Sequence, residues 1–344
     1  MAKKEKTTFN YAAELKRLKD GGLQRLYVLS GPEDYLRECF LGEMLKLSGL
    51  TQEDFSYKRF NGPALDMTEL AEAVDAMPFF SECSFVEVRD CDLGKCREED
   101  SERLKKIVSD IPDYCTLVFT FSPGNTPDGR TAPMRALKKY ACAIEFSEQE
   151  QGALSRWVQS RFRALNKMIS PSDAEYLIFL GGTRMNALIP EIEKIAGFAQ
   201  GDTVSRAEID ATATRIPEAD VFKLTDLLAQ RRYDAAAALL SDLLDNKDNH
   251  PIFLTALIGQ QMRRLYAAKL GRDSGCAKRD VMELCDVRYD FIYDKLCAAS
   301  KPFSTAQLGE CVKLCAEYDY KMKSTGVDAY VLIRELFSRL AMVN

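Results

Sequence analysis

The sequence predicts an α/β domain followed by two all-helical ones, and three observations carry that prediction. Through residue 146, apolar runs of strand length alternate with amphipathic stretches of helical period, the pattern of helices crossing over a mainly parallel sheet. At Ser147-Glu148-Gln149-Glu150 a capping-type start changes the pattern, and beyond it no stretch reads as a strand. Gly and Pro punctuation then separates a small helical group, 147–213, from a helical bundle, 214–344.

Within residues 1–146, Leu26 to Ser30 reads as a short apolar strand, and Asp34 to Leu47 as a helix with Leu36, Phe40, Met44 and Leu47 on its inner face. Phe55 to Phe60 reads as a second strand, Asp66 to Asp75 as a helix with Leu70, Ala73 and Val74 on one side, and Phe85 to Arg89 as a buried strand. A charged helix near Glu99 to Ser109, a strand Cys115 to Phe121, a helix near Ala132 to Tyr140 and a strand Cys142 to Phe146 complete a five-stranded, three-layer domain.

In the small group, Leu154, Trp157, Val158, Phe162 and Leu165 share a face, with Trp157, the only tryptophan, as its core anchor. Ser170-Pro171-Ser172 opens Asp173 to Leu180, and Met185 to Phe198 follows Gly181-Gly182. The bundle contains Val221 to Ala229, the Ala-rich Tyr233 to Leu244, Pro251 to Leu270, Arg279 to Cys285, Thr305 to Tyr320 and Ala329 to Met342. Six apolar-faced helices suit a bundle that assembles side by side with others.

The stretch around which the chain is organised is Ala76-Met77-Pro78-Phe79-Phe80-Ser81, in the turn between a helix and a strand. Loops run over surfaces because their unpaired backbone groups need water, so large apolar side chains there either fold back onto the core or face a partner. Pro78 forces the segment off helical geometry, and the order Met-Pro-Phe-Phe does not easily turn all three large groups inward. At least one is expected to project.

Ligands of parallel sheets favour the loops after strand carboxyl ends, and the first of these is Ser30-Gly31-Pro32-Glu33-Asp34. A phosphate loop needs G-x-x-x-x-G-K-[ST], whereas this loop has one Gly and no Lys. Glu33 and Asp34 moreover put carboxylates at the first helical turn, where they are expected to satisfy the N–H groups that a phosphate would use. Gly31, Pro32, Glu33 and Asp34 therefore mark a degenerate phosphate-loop position with no bound nucleotide expected. Glu87 and Asp90 resemble a magnesium-binding pair but, without a phosphate loop, read as strand-edge charges.

Composition narrows the function classes. Of 344 residues, 29% are charged and 46% hydrophobic, and no segment approaches a membrane span, so no membrane association is expected. The opening Met-Ala-Lys-Lys-Glu-Lys-Thr-Thr is basic without an apolar stretch after it, which predicts no secretory signal and a cytoplasmic protein. Eleven scattered cysteines without a C-x-x-C pair, and one histidine, predict reduced core thiols, no metal site and no cofactor. His250, before Pro251, reads as a helix-start residue, leaving no nucleophile-histidine arrangement and no catalytic residue. The net charge of −5 excludes a basic nucleic-acid coat, although local clusters occur at Arg156 to Lys167 and at Arg263, Arg264, Lys269, Arg272, Lys278 and Arg279.

Taken in order, these pieces form a resemblance. Leu26 to Leu36 in place of a phosphate loop, Met77-Pro78-Phe79-Phe80-Ser81-Glu82 before the third strand and Leu154-Ser155-Arg156-Trp157-Val158 carry its first half. Leu188 to Ile195, His250-Pro251-Ile252-Phe253-Leu254 and Asp319 to Ser324 carry the second. Over nearly the whole chain the sequence resembles the delta-subunit family of bacterial DNA polymerase III clamp loaders, within the AAA+ clamp-loader class. That resemblance implies an AAA+-like domain that binds the clamp, a small helical lid and a helical collar for oligomerisation.

It further implies a protein that binds and opens the sliding clamp (beta ring) for loading on primed DNA, beside gamma/tau ATPase subunits and a delta prime subunit. The chain itself would hydrolyse no ATP, and only the holoenzyme would be classed as a nucleotidyltransferase. The family's clamp-contacting element maps onto Met77, Pro78, Phe79 and Phe80, and the collar's place near primed DNA makes Arg263, Arg264 and Arg279 candidate DNA-facing residues. Cys83-Ser84 departs from the family, which often has a basic residue there, and leaves the apolar wedge intact. The competing classes are a nucleic-acid-binding helical scaffold and a divergent ATP-dependent enzyme such as a kinase or helicase fragment.

Overall fold

The computed structural model describes residues 9–62, 65–94 and 96–343; the basic opening stretch 1–8 read above lies outside them. These residues divide into two compact units, 9–154 with 183–189 and 155–182 with 190–343.

In the first unit the strands β1 (Leu26–Ser30), β2 (Tyr57–Asn61), β3 (Ser84–Arg89), β4 (Cys115–Thr120) and β5 (Cys142–Glu145) form one sheet in the order β2-β3-β4-β1-β5. Every pairing is parallel, with Leu26 opposite Leu117 on one side of β1 and Tyr27 opposite Cys142 on the other. Strands β3 and β4 are buried almost throughout, as parallel strands covered on both faces must be.

The helices of this unit are α1 (Tyr11–Gly21), α2 (Asp34–Leu47), α3 (Met67–Asp75), α4 (Glu98–Ser109) and α5 (Ala132–Tyr140). Val28, Val86, Val88, Leu117 and Phe119 on one sheet face pack with Leu70 and Val74 of α3, Leu104 and Val108 of α4 and Leu137 of α5. On the opposite face Phe40 of α2 meets Phe146 edge-to-face at 5.6 Å, and Tyr11 of α1 lies 6.4 Å from Phe40. The result is the three-layer α/β domain expected from the strand and helix alternation.

Two local expectations fail here. Strand β2 begins at Tyr57, because Thr51 to Asp54 form a turn whose carbonyl at Asp54 accepts from Tyr57 N at 3.0 Å, and Phe55 is left in solvent. Helix α1 was not anticipated: its inner face buries only Leu18, so its apolar period is weak. Its caps were nonetheless readable, since the Asn10 side chain accepts from Ala13 N at 3.1 Å and Gly22 ends the helix at a φ of 71°.

Beyond residue 150 the chain runs through α6 (Gln151–Ala164), β6 (Met168–Ile169), α7 (Pro171–Gly181), α8 (Met185–Phe198), β7 (Thr203–Val204) and α9 (Arg206–Thr212). It continues through α10 (Pro217–Ala229), α11 (Tyr233–Asp245), α12 (Pro251–Asp273), α13 (Lys278–Leu284), α14 (Asp290–Ser300), α15 (Thr305–Ser324) and α16 (Ala329–Val343). Strands β6 and β7 pair in parallel, which corrects the reading of no strand after Ser147; two residues each are too few to show alternation. Helix α14 was also missed, although Ile292, Leu296 and Ala299 are spaced for one buried face.

Trp157 is only partly buried, and Leu165 is exposed; Leu154, Val158 and Phe162 fill the inner face of α6 instead. In the second unit α12 runs against α15, with Gly259 of α12 facing Cys315 of α15. Phe179 of α7 packs edge-to-face on Phe222 of α10 at 5.4 Å and on Phe291 of α14 at 5.8 Å. These aromatics tie α7 to the bundle.

Candidate functional site

Residues 76–83 connect α3 to β3. Asp66 caps α3 by accepting from Thr68 N at 2.7 Å and Glu69 N at 3.3 Å, and the helix stops where Ala76 turns extended ahead of Pro78. Both ends of the connection are held by one residue: Tyr114 donates its hydroxyl to Asp75 O at 2.9 Å, and its carbonyl accepts from Ser84 N at 2.7 Å. Between those anchors Met77, Phe79 and Phe80 are 79%, 88% and 82% exposed, and Pro78 is half-buried. All three large side chains project, where the sequence required only one.

The exposed rings are mutually ordered. Phe79 and Phe80 lie edge-to-face with centroids 5.2 Å apart and planes at 74°, a favourable aromatic geometry. Ser81 stiffens the far side of the loop, its hydroxyl 2.7 Å from that of Ser56 and donating to Cys83 O at 2.9 Å. The Cys83 thiol donates to Ser48 O at 3.3 Å. The departing residue Cys83 thus has a local structural partner.

At the other end of the sheet, Gly31 to Asp34 follow the interior strand β1, beside the point where the chain order switches between β4 and β1. Gly31 has a φ of 119°, and a side chain there would collide with the backbone of Phe146, so this glycine serves strand packing. Glu33 is buried and makes no N-cap hydrogen bond, and of the first-turn N–H groups only that of Tyr35 acts on its carboxyl, so the expected satisfaction of the helix N–H groups is partial. Burial raises its carboxyl to about 7, and the nearby backbone amides of Met185 and Tyr35 only partly offset this.

Arg37, which sequence reasoning missed, fills the space instead. Its guanidinium is buried, donates to Phe121 O at 2.8 Å and lies 2.5 Å from Asp34. Its partner carbonyl is 84 residues away in sequence, so no local pattern announces it.

The presumed strand-edge acids are also placed differently. Glu87 is fully buried, accepts from the Tyr57 hydroxyl and pairs with Arg89, which reaches Glu38 at 2.9 Å. It faces α2 because β-strand side chains alternate, and it lies on the same face as Phe85. Asp90 accepts from Ser122 N at 2.7 Å and Ser122 Oγ at 2.8 Å; burial pushes its carboxyl up, but these bonds prevail and hold it below the usual range.

In the second unit Arg263 and Arg279 are exposed. Arg264 has a different employment: it donates to Cys285 O at 2.9 Å and Asp286 O at 3.1 Å, bracing the chain after α13. His250 caps α12, its Nδ1 accepting from Ile252 N at 3.3 Å, as its position before Pro251 suggested. Cys311 and Cys315 are buried between helices, where burial raises their thiols to about 11 and about 12. Among the described residues no cluster of three or more metal-ligating side chains occurs, and no helix is long and apolar enough to cross a membrane.

Known proteins resemble this chain along most of its length. The family described as DNA polymerase III, delta subunit, matches residues 27–147, and the C-terminal domain of the DNA polymerase III delta subunit matches residues 218–340. The sequence is 25% identical over 334 residues to DNA polymerase III subunit delta of Bacillus subtilis (strain 168), covering 94% of each chain. It is 22% identical over 327 residues to the probable DNA polymerase III subunit delta of Aquifex aeolicus (strain VF5), covering 92% of this chain and 91% of the other. Among solved structures, the Bacillus subtilis DNA clamp loader delta protein aligns with a TM-score of 0.49 at 21% identity, covering 97% of this chain and 100% of that one.

Proposed function

The chain belongs to the DNA polymerase III delta-subunit family and is a clamp-loader subunit acting in DNA replication, and from that premise we propose that it binds and opens the sliding clamp through Met77, Phe79 and Phe80. The observation that carries this reading is the exposure of three large apolar side chains on a loop hydrogen-bonded at both ends. Pro78 sets the loop's shape and contributes the half-buried base of the wedge.

The energetics suit a docking wedge. Each large apolar side chain contributes about 1.5–3 kcal/mol gross on burial, so three supply roughly 5–9 kcal/mol before the cost of association. A micromolar contact needs about 8 kcal/mol, so the loop is a hot spot that neighbouring contacts must supplement. A chain that binds the opened ring more tightly than the closed ring shifts the opening equilibrium by the difference of those affinities. No nucleotide chemistry of its own is required for that step.

The crevice after β1 supports the assignment of ATP hydrolysis to sister subunits. An incoming phosphate would meet a buried carboxyl at Glu33, and the guanidinium of Arg37 is already engaged by Asp34 and Phe121 O. In the proposed complex, residues 1–146 bind the clamp, 147–213 form a lid and 214–344 form the collar that meets gamma/tau and delta prime subunits. Of the basic candidates, Arg263 and Arg279 are proposed to face primed DNA, whereas Arg264 is occupied in bracing its own bundle. The proposed compartment is the cytoplasm.

The testing reaction is release of the clamp from nicked circular DNA by the purified chain without ATP. Release by the wild type and its loss in a folded Met77→Ala, Phe79→Ala, Phe80→Ala variant is the expected result. Release that depends on ATP bound to this chain would favour the divergent enzyme and overturn the proposal.

A further inference from the structure

Three segments converge beside the docking loop, and each carries an exposed apolar residue immediately before a serine. Leu47 precedes Ser48 at the end of α2, Phe55 precedes Ser56 ahead of β2, and Phe80 precedes Ser81. The serines belong to one chain of hydrogen bonds: Ser56 Oγ to Ser81 Oγ at 2.7 Å, Ser81 Oγ to Cys83 O at 2.9 Å and Cys83 Sγ to Ser48 O at 3.3 Å. The preceding residues are 44%, 86% and 82% exposed.

Phe55 stands out among them. Its backbone is fixed on one side by the Thr51 turn, in which Asp54 Oδ2 accepts from Thr51 N at 2.6 Å and from its hydroxyl at 2.8 Å. On the other side Ser56 O accepts from Phe85 N at 2.9 Å, locking the next residue to β3. A rigid loop therefore holds a phenyl ring in water without any packing role. Adjacent Cα atoms are about 3.8 Å apart and the two serine hydroxyls touch, so the Cα atoms of Phe55 and Phe80 lie within about 15 Å.

A standard interface covers about 800 Å² on each partner, a patch roughly 30 Å across. A partner of that size centred on Phe79 and Phe80 has the reach to cover Phe55 as well. We propose that Phe55 is a second anchor for the same ring-shaped clamp, with Leu47 at its margin, so that the docking surface joins the loops before both β2 and β3. This inference rests on the proposed clamp-binding role of the Met77 to Phe80 loop. The polar knot then has a function: it fixes the spacing between two aromatic anchors before the partner arrives, which limits the entropy lost on docking.

The test is the equilibrium affinity of the full chain for its own organism's clamp, measured for the wild type, Phe55→Ala, Phe55→Leu and Phe79→Ala with Phe80→Ala. Phe55→Ala is expected to weaken binding about 10-fold or more, with Phe55→Leu intermediate and both thermal unfolding curves unchanged. If Phe55→Ala binds within about twofold of the wild type while the Phe79 and Phe80 variant loses binding, Phe55 lies outside the footprint and this inference fails alone. If the wild type does not bind the clamp, the underlying reading fails and the inference falls with it. A Phe55→Ala variant that keeps clamp affinity but loses binding to a sister subunit or a second copy assigns the ring to that partner and overturns the proposal.

Discussion

Phe79 and Phe85 are six residues apart and have opposite fates, one exposed to solvent and the other fully buried on β3. Truncating Phe79 or Phe80 to Ala is expected to change the unfolding free energy by less than about 0.5 kcal/mol, whereas Phe85→Ala should cost about 3–5 kcal/mol. Urea titrations of the variants check both values. The exposed pair was legible because apolar residues crowded around Pro78 have nowhere to turn inward together. Arg37 and Glu87 were not, because the groups that define them, Phe121 O and the Tyr57 hydroxyl, come from distant positions in the chain. Glu33 gives a pH signature. Its carboxyl lies near 7 in the folded chain and near 4.5 when unfolded, so the folded state holds more protons between those values. Stability should therefore fall as pH rises through that window, and Glu33→Gln should flatten the fall, gaining up to about 3 kcal/mol on the wild type between about pH 4 and pH 8.

At the scale of elements, the loop after β1 stands where a parallel sheet would carry a phosphate loop and has neither the Lys nor the second Gly of one. The missing Lys and second Gly were readable in the sequence, whereas the close approach of Gly31 to the Phe146 backbone was not, because that partner is distant in the chain. Gly31→Ala forces a side chain into that backbone at a positive φ, and a loss of more than about 2 kcal/mol in urea unfolding is expected, with no nucleotide involved. Strands β1, β3 and β4 were legible because buried parallel strands read as continuous apolar runs, whereas the edge strands β2 and β5 are mostly exposed and gave a weaker signal. The two-residue strands β6 and β7 and the thinly buried α1 carry too short or too weak a period. The loop before β3 behaves as an element of its own. Ser81→Ala removes its hydroxyl contacts to Ser56 and Cys83, and we expect an intact fold with clamp affinity reduced several-fold, separating loop order from ring contact.

At the scale of the whole molecule, a sheet domain offers an apolar wedge, and the helical remainder packs around long helices such as α12 and α15. The change from alternating strand and helix to helix alone was visible at Ser147. The joining of α7 to the bundle through Phe179, Phe222 and Phe291 was not, since it depends on side chains that lie far apart in the sequence. Function on this account comes from differential affinity for two states of a partner ring, with fuel supplied by sister subunits. The most direct measurement is therefore equilibrium binding of the purified chain to its own organism's sliding clamp, with the wild type beside a folded Met77→Ala, Phe79→Ala, Phe80→Ala variant. The account predicts micromolar or tighter binding by the wild type and a loss of at least about 100-fold in the variant. Equal binding by both, or none by the wild type, would contradict it.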